Sequence, residues 1–302
     1  MSATLIAEQV FNGFSLASLL VLAALGLALS FGLMRVINMA HGEMLMLGGY
    51  LAYLTARVVP GPLALLFALP VAFLGAALLG ALLQAAVIRR LAARPLDTLL
   101  ATWGISLILQ QGARSLFGAI GVEVTAPAWL NFTVPLGIGP AGSLSLPATR
   151  LFIMLVAVLV LAALGLLLAK SRLGLWVRAA NQDRETAAAM GIDVRRIDLL
   201  VFALGTGIAG MAGVVLGLLG PVTPDVGQSY IVPAFLVVIL GGLGSLTGTI
   251  LAALIAGLFS ALVQIFVDVS VAQVLLLVFV ILFIQWRPRG IVAARSRALE
   301  QS

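Results

Sequence analysis

The sequence of 302 residues has no cysteine and a single histidine, and these two shortages exclude several kinds of site. Without cysteine, the chain forms no disulfide and no thiolate metal site. With His41 as its one histidine, it has no histidine cluster for a metal ion and no multi-histidine proton relay. We therefore expect neither a metal nor another cofactor.

The chain also has one lysine, Lys170, and this excludes a Walker ATPase site. A Walker loop has glycine immediately before its lysine and another glycine five residues earlier. Ala169 and Leu164 occupy those two positions here. If ATP powers this protein, another subunit hydrolyses it.

Charged residues are scarce, at 9%, whereas 62% of the residues are hydrophobic and the mean hydropathy is +1.20. A soluble domain has roughly a quarter charged residues. A water-soluble fold of this length cannot hide so much apolar surface, so the bilayer is the natural solvent. We predict an all-α, polytopic membrane protein in which residues 1–302 form a single transmembrane domain.

Nine apolar runs are long enough to cross the membrane wholly or nearly. The runs 44–58 and 231–246 are short for a full span, which predicts broken or re-entrant helices. Barrel strands alternate apolar and polar residues, and these runs do not. We expect about 8–10 membrane helices. The nine runs are 14–34, 44–58, 63–88, 99–117, 151–169, 197–219, 231–246, 250–267 and 271–286.

The basic residues are clustered, with three, six and four of the seventeen in 89–94, 170–196 and 287–297. Such clusters mark cytoplasmic segments under the positive-inside rule. The proline-containing segment 118–150 has Arg150 as its only basic residue, so we expect an external loop with little regular structure. Aromatic residues are not interleaved with the arginines, and we therefore predict no nucleic-acid partner.

Glycines recur at spacings of three and four along the run 197–219. Small residues on one helix face allow another helix backbone to approach closely. Close helix packing is the favoured interpretation, and a direct role in solute binding is the alternative. The stripe consists of Gly207, Gly210, Gly213 and Gly217, and Gly220 extends it.

Two further segments, 30–50 and 234–249, are interrupted by glycine and lie in the two halves of the chain. Paired broken helices of this kind point to a binding or translocation site near the membrane midplane. The first segment also contains polar residues, which are costly in lipid and should face protein or water. They either cap a broken helix or line the translocation pathway, and they are Arg35, Asn38, His41 and Glu43.

The cytoplasmic segment 170–196 contains an alanine-rich stretch with helix signals at both ends. Asn181 and Asp183 are suited to begin a helix, and Gly191 is suited to end it. This exposed helix either docks a cytoplasmic partner or is merely a solvated loop. We favour docking.

Several strings resemble one known family, the branched-chain amino acid and urea class of ABC permeases. They are INMAHGEM (37–44), LLATWGISLILQQ (99–111), the stretch 173–213, GGLGSLTGT (241–249) and FIQWRPRG (283–290). The family has a Glu-Ala-Ala loop with a trailing glycine that docks into the ATPase subunit. The resemblance therefore implies coupling to the ATPase through Asn181, Asp183, Arg184, Glu185, Ala187, Ala188 and Gly191.

The resemblance also implies an assembly and a location. The expected partners are a second homologous permease subunit, two cytoplasmic ABC ATPase subunits, an extracytoplasmic solute-binding protein and membrane lipid. The expected location is the bacterial plasma (inner) membrane, with multiple spans. The chain itself would be a non-catalytic subunit that moves a small polar solute by alternating access.

Within this class, INMAHGEM, TPDVGQSYIV (223–232) and FIQWRPRG lean toward the urea and short-amide branch. Branched-chain amino acids are the alternative substrate. An ion-coupled secondary transporter is a weaker alternative, because such proteins place ionisable groups deep in their spans. Here only Glu43 has a plausible central position.

Overall fold

The computed structural model describes residues 3–34, 36–92, 94–136 and 144–292. Arg35 and the tail from 293 lie outside the described residues. A π-helical turn, Gln84–Ile88, joins the helix Ala64–Leu83 to the short helix Arg89–Leu91 without a break. The helices are α1 Ala3–Met34, α2 His41–Val58, α3 Ala64–Leu83, α4 Arg89–Leu91, α5 Pro95–Phe117, α6 Ala148–Lys170, α7 Arg172–Gln182, α8 Arg184–Ala189, α9 Val194–Gly217, α10 Val226–Gly241, α11 Leu246–Val263 and α12 Val269–Trp286.

Each of the nine predicted runs lies mostly on one helix, which agrees with the predicted all-α membrane protein. Six of the described helical stretches are long and apolar enough to cross a membrane. The helices α2, α5 and α10 fall short, α10 because it has 16 residues and the other two because they carry more polar residues. The six are Leu5–Met34, Ala64–Leu91, Ala148–Lys170, Val194–Gly217, Leu246–Val263 and Val269–Trp286.

The predicted run 231–246 is wrong in its boundaries, because it crosses a turn. The helix α10 ends at Gly241, and Gly242 and Gly244 have φ values of +103° and +84°. These left-handed conformations stop a helix, and glycine adopts them at little cost. Ser245 then begins α11 by accepting a hydrogen bond from the Gly248 amide. The turn is apolar in composition, so hydropathy did not reveal it.

The predicted external loop contains more regular structure than expected. Strand β1 (Thr133–Leu136) pairs antiparallel with β2 (Leu144–Pro147), after a short 3₁₀ turn at Ala128–Leu130. Residues 137–143 lie outside the described part. Val122 and Val222 exchange two backbone hydrogen bonds of 3.0 and 2.8 Å, so the loop is joined to the connection between α9 and α10.

Two helices, α1 and α9, form the centre of the bundle. In the most apolar 18-residue window of α1, 78% of the residues are buried, and in that of α9, 72% are buried. The corresponding window of α12 is only 17% buried. Around them, α11, α10 and α6 pack against α1, and α2 and α3 pack against α9. The main contacts of α5 are with α2, α4 and the π-helical turn, so α5 lies at the edge. Its exposed apolar face is suited to lipid.

The glycine stripe on α9 lies against α3, α2 and two connecting segments. A Cβ at Gly207 would contact Phe73, and one at Gly210 would contact the Ala72 carbonyl, both in α3. A Cβ at Gly213 would meet the Leu45 carbonyl of α2. Gly217 faces Val124 and Val222 of the connecting segments. This placement fits the packing interpretation, which stays a prediction.

We expect Gly213→Leu to destabilise the bundle by at least about 1–3 kcal/mol, because there is no room for a side chain against the α2 backbone. The matched control is Gly165→Leu in α6, where a Cβ meets no atom within 4 Å. The measurement is the thermal unfolding midpoint and the monodisperse yield of the detergent-solubilised protein. Equal midpoints for both variants would contradict the packing role.

Candidate functional site

The chain leaves the helical conformation between α1 and α2, and most of this break lies inside the bundle. Val36, Asn38 and Ala40 are buried, and α2 begins at His41. Asn38 holds the break by its side chain, because its Oδ1 accepts the Ala40 amide at 3.0 Å. Asn38 Nδ2 is buried without a hydrogen-bond partner in the described part of the chain.

His41 connects the beginning of α2 to the middle of α1. Its Nε2 lies 3.1 Å from the Ala23 carbonyl oxygen. A carbonyl only accepts hydrogen bonds, so Nε2 carries the proton. Gly26 leaves room for the ring, since a Cβ at this position would clash with His41. His41 therefore positions α2 on α1.

Glu43 turns away from α1 and reaches the peripheral helix α5. Its Oε1 accepts hydrogen bonds from Ser106 Oγ and Gln110 Nε2, both at 2.8 Å. Gln110 Nε2 also lies 3.2 Å from Ser106 Oγ, which completes a triangle. Glu43 is 1% exposed, and its Oε2 has no hydrogen-bond partner among the described residues. The carboxyl group is thus satisfied on one oxygen only.

A buried polar stripe on α5 reaches this break and the first turn of α2, and sequence analysis missed it. Thr98, Thr102, Ser106 and Gln110 recur every four residues, and each is at most 5% exposed. Thr102 Oγ1 accepts the Met39 amide at 3.1 Å, so the stripe also holds the non-helical segment. The signal was present in the run 99–111, where a period of four places polar groups on one helix face.

The beginning of α10 approaches the beginning of α2 from the other side. Gly42 and Gly227 pack backbone to backbone, since a Cβ on either would contact the other. Asp225, just before α10, is exposed and close enough for its charge to act on Glu43 and Tyr50. Tyr50 is buried, and its hydroxyl has no hydrogen-bond partner in the described structure.

The three predicted pathway residues lie within six consecutive positions, 38–43, but their side chains contact different neighbours. Asn38 supports the entry to α2, His41 contacts α1, and Glu43 contacts α5. The second interrupted segment does not join them. Its turn contacts the last turn of α1, where a Cβ at Gly32 would meet Gly244, and residues 291–292 bind the end of α10 through their amides.

A second candidate site is the segment of α7 and α8. Asp183 begins α8, as its Oδ1 accepts the amides of Glu185 and Thr186 at 3.0 and 3.1 Å. Its Oδ2 accepts the Thr186 hydroxyl at 2.6 Å. Asn181, by contrast, lies in the last turn of α7 and does not begin α8. Hydrogen bonds from the Thr186 side chain and then from backbone amides hold the pKa of Asp183 below its usual value.

The end of α8 has the glycine that the sequence suggested. Gly191 has a φ of +84°, and its amide donates to the Ala188 carbonyl at 3.0 Å. The Ile192 amide donates to the Ala187 carbonyl at 3.1 Å. These two bonds form a Schellman motif, which turns the chain sharply toward α9.

The side chains of α8 divide between solvent and the bundle. Glu185, Ala188 and Gly191 are exposed, whereas Ala187 is buried. Arg184 points back to the bundle, where its guanidinium donates to the Leu33 carbonyl at 2.8 Å and to Asp198 Oδ2 at 2.6 Å. Leu33 is in the last turn of α1, and Asp198 is near the beginning of α9. Arg184 therefore connects α8 to both central helices.

An open groove of about 1180 Å³ lies between the end of α1 and the segment α7–α8. Its lining includes Leu33, Trp176, Ala180, Arg184 and Met190. Trp176 and Met190 are exposed apolar side chains, so the groove is suited to contact a protein surface.

We expect Asp183→Ala to loosen α8 and raise its amide hydrogen exchange severalfold, because the Asp183 carboxylate satisfies two helix amides. Because the pKa of Asp183 is lowered in the folded protein, its carboxylate supports α8 fully above the ordinary aspartate pKa. This stabilisation is lost as the pH falls through the lower pKa of Asp183 in the folded protein. The matched control is Asp183→Asn, which still begins a helix and does not titrate.

The measurement is deuterium uptake of residues 184–190 between pH 7 and pH 3, corrected for intrinsic exchange. Protection should fall with pH in the natural chain and stay flat in Asp183→Asn. Equal protection of the Ala variant and the natural chain at pH 7 would show that Asp183 does not hold α8.

Comparison with known proteins gives one consistent answer. Residues 9–285 match a family model described as the branched-chain amino acid transport system permease component. The chain is 30% identical to the high-affinity branched-chain amino acid transport system permease protein LivH of Salmonella typhimurium, over 94% of both chains. It is also 30% identical to BraD of Pseudomonas aeruginosa, a permease protein of the same description, over 82% of both chains.

A weaker similarity extends to LivM of Escherichia coli, at 29% identity over 48% of this chain and 35% of that protein. No solved structure matches the chain. The predicted urea and short-amide branch has no support in these relatives, all of which are named for branched-chain amino acids.

Proposed function

The chain belongs to the family of branched-chain amino acid transport permeases, and from that premise we propose that it carries branched-chain amino acids through the membrane in an ATP-driven importer. It is a multi-pass protein of the plasma (inner) membrane and a transport subunit, not an enzyme. The match over nearly the whole length of LivH is the observation that favours branched-chain amino acids as the substrate over urea and short amides.

The proposed assembly contains a second homologous permease subunit, two cytoplasmic ABC ATPase subunits and an extracytoplasmic solute-binding protein. The chain lacks the glycines of a Walker loop around Lys170, so the ATPase site is on the partner. The similarity to both LivH and LivM supports a pair of related permeases.

We assign the coupling role to the segment α7–α8. The exposed residues Glu185, Ala188 and Gly191 are available to an ATPase subunit, and the groove beside them offers apolar side chains. Arg184 connects α8 to the helices inside the permease. Through the Leu33 carbonyl and Asp198, it passes a displacement of α8 to α1 and α9.

We place the translocation pathway beside the break between α1 and α2. A polar solute needs polar partners in the hydrocarbon region, and this break gathers the buried polar groups Asn38, His41 and Glu43. Alternating access then requires the helices around the break to separate first toward one side and then toward the other.

The substrate is tested by reconstituting the complete complex with its binding protein in liposomes that contain ATP. We expect ATP-dependent uptake of radiolabelled leucine, reduced by excess isoleucine or valine and unchanged by urea or acetamide. ATP-dependent uptake of urea alone would overturn the substrate. Uptake driven by an ion gradient without the ATPases would overturn the transporter class.

The coupling role is tested with Arg184→Ala. We expect the ATPases to stay bound and to hydrolyse ATP, while leucine transported per ATP falls roughly tenfold, because two charge-assisted bonds to the central helices are lost. The matched control is Arg195→Ala, an exposed arginine in the first turn of α9. Glu185→Arg should instead weaken ATPase binding itself. Wild-type coupling in both Arg184→Ala and Glu185→Arg would reject the assignment.

A further inference from the structure

The contact between α5 and the break before α2 is polar along much of its length, in a bundle that is otherwise apolar. Thr102 binds the Met39 amide, and Ser106 and Gln110 bind Glu43. On its other faces α5 exposes large apolar side chains such as Leu100 and Ile108. Polar side chains of this kind commonly hold membrane helices together, and here two of them converge on one carboxyl group, that of Glu43.

Glu43 is the one acidic residue of this contact. Glu43 takes part in none of the ion pairs formed among the described residues. Ser106 and Gln110 occupy Oε1, whereas Oε2 is buried and has no partner there. A buried carboxylate requires a cation or further donors to offset its desolvation. The free oxygen is therefore available to one further donor, and a positively charged donor would offset the desolvation best.

The surroundings of Oε2 decide which cation fits. Asp225 lies near Glu43, but the described residues contain no group of three His, Asp or Glu side chains that would hold a metal ion. An alkylammonium group needs fewer ligands, since it donates three hydrogen bonds in total. The free Oε2 of Glu43 offers one acceptor for them. Asp225 is exposed, and its negative charge acts on Glu43.

The position of α5 explains how a solute would reach a group that is covered in this conformation. The main contacts of α5 with the bundle are α2, α4 and the π-helical turn, whereas α1 and α9 are packed on several sides. Moving α5 away from α2 would expose Glu43, Ser106 and Gln110 together. The groups that lose their hydrogen bonds are polar, so water or a polar solute can replace their lost partners at small cost.

We propose that Glu43, oriented by Ser106 and Gln110, binds the α-ammonium group of the amino acid as it passes between α5 and α2. The inference rests on the proposed function and adds to it a residue that recognises the charged end of the solute inside the membrane. The solute-binding protein selects the side chain, and the permease reads the ammonium group that all such solutes share.

A structural role and an ammonium-binding role for Glu43 predict opposite rankings of two variants, Glu43→Gln and Glu43→Asp. If Glu43 only ties α5 to α2, Glu43→Gln is tolerated, because its amide oxygen still accepts from Ser106 and Gln110, while the shorter Glu43→Asp breaks both bonds. If Glu43 binds the ammonium group, the Asp variant keeps the charge and the Gln variant does not. The ranking of the two variants therefore separates the roles.

The experiment uses the complete complex with its binding protein, reconstituted in liposomes with ATP, and measures the initial rate of leucine uptake across leucine concentrations. We expect Glu43→Gln to lower uptake at least about tenfold and Glu43→Asp to lower it less, because a charge-assisted bond is lost only in the first. ATPase binding should be unchanged in both. Glu8→Gln, at an exposed position of α1, is the matched control.

Each other outcome counts against the proposal. Full uptake by Glu43→Gln, or better uptake by Glu43→Gln than by Glu43→Asp, would make Glu43 a structural residue. Failure of Glu43→Gln to assemble with the ATPases would do the same. If the natural complex itself does not take up leucine, the proposed function fails instead, and the two failures are thereby distinguished.

Discussion

A polar group in the hydrocarbon region must find its partner within the protein, because lipid offers none. This constraint explains how the chain treats its break between α1 and α2. The backbone of the break is held by the Asn38 side chain and by Thr102 of α5, and His41 fastens the new helix to the Ala23 carbonyl. The break is stable because polar groups from three helices are directed into it.

Close packing at the centre depends on the same region. Gly26 admits the His41 ring beside Gly205 of α9, and Gly42 meets Gly227 of α10 without side chains between them. Where helices touch by backbone, a small displacement of one must move the other, since protein interiors transmit strain. The glycines therefore serve both to bring the polar break to the centre and to make the central helices move together.

The positions of the helices could be predicted from the sequence because long apolar runs have few alternatives in a membrane protein. Asp183 and Gly191 were also correctly identified, since capping residues act on their own helix. The glycine interruption of 234–249 was predicted, but hydropathy did not locate its turn at 242–245. The pairing of β1 with β2 was missed because prolines suggested irregular chain. The partnership of Glu43 with Ser106 and Gln110 spans more than sixty residues, and no local pattern in the sequence indicates which helices become neighbours.

The two candidate sites are connected by one helix. Arg184 contacts the Leu33 carbonyl, and His41 contacts the Ala23 carbonyl, so both sites hold α1 by its backbone. Ten residues of continuous helix separate the two carbonyls, which is about 15 Å at 1.5 Å per residue. A helix of this length behaves as a rod, because shortening it would break its internal hydrogen bonds. A displacement of α8 that moves the end of α1 therefore reaches His41 and the beginning of α2. Glu43 lies two residues further along, so the same displacement changes its distance from α5. In the proposed mechanism, coupling and passage of the solute therefore both depend on α1, the one helix that both sites contact.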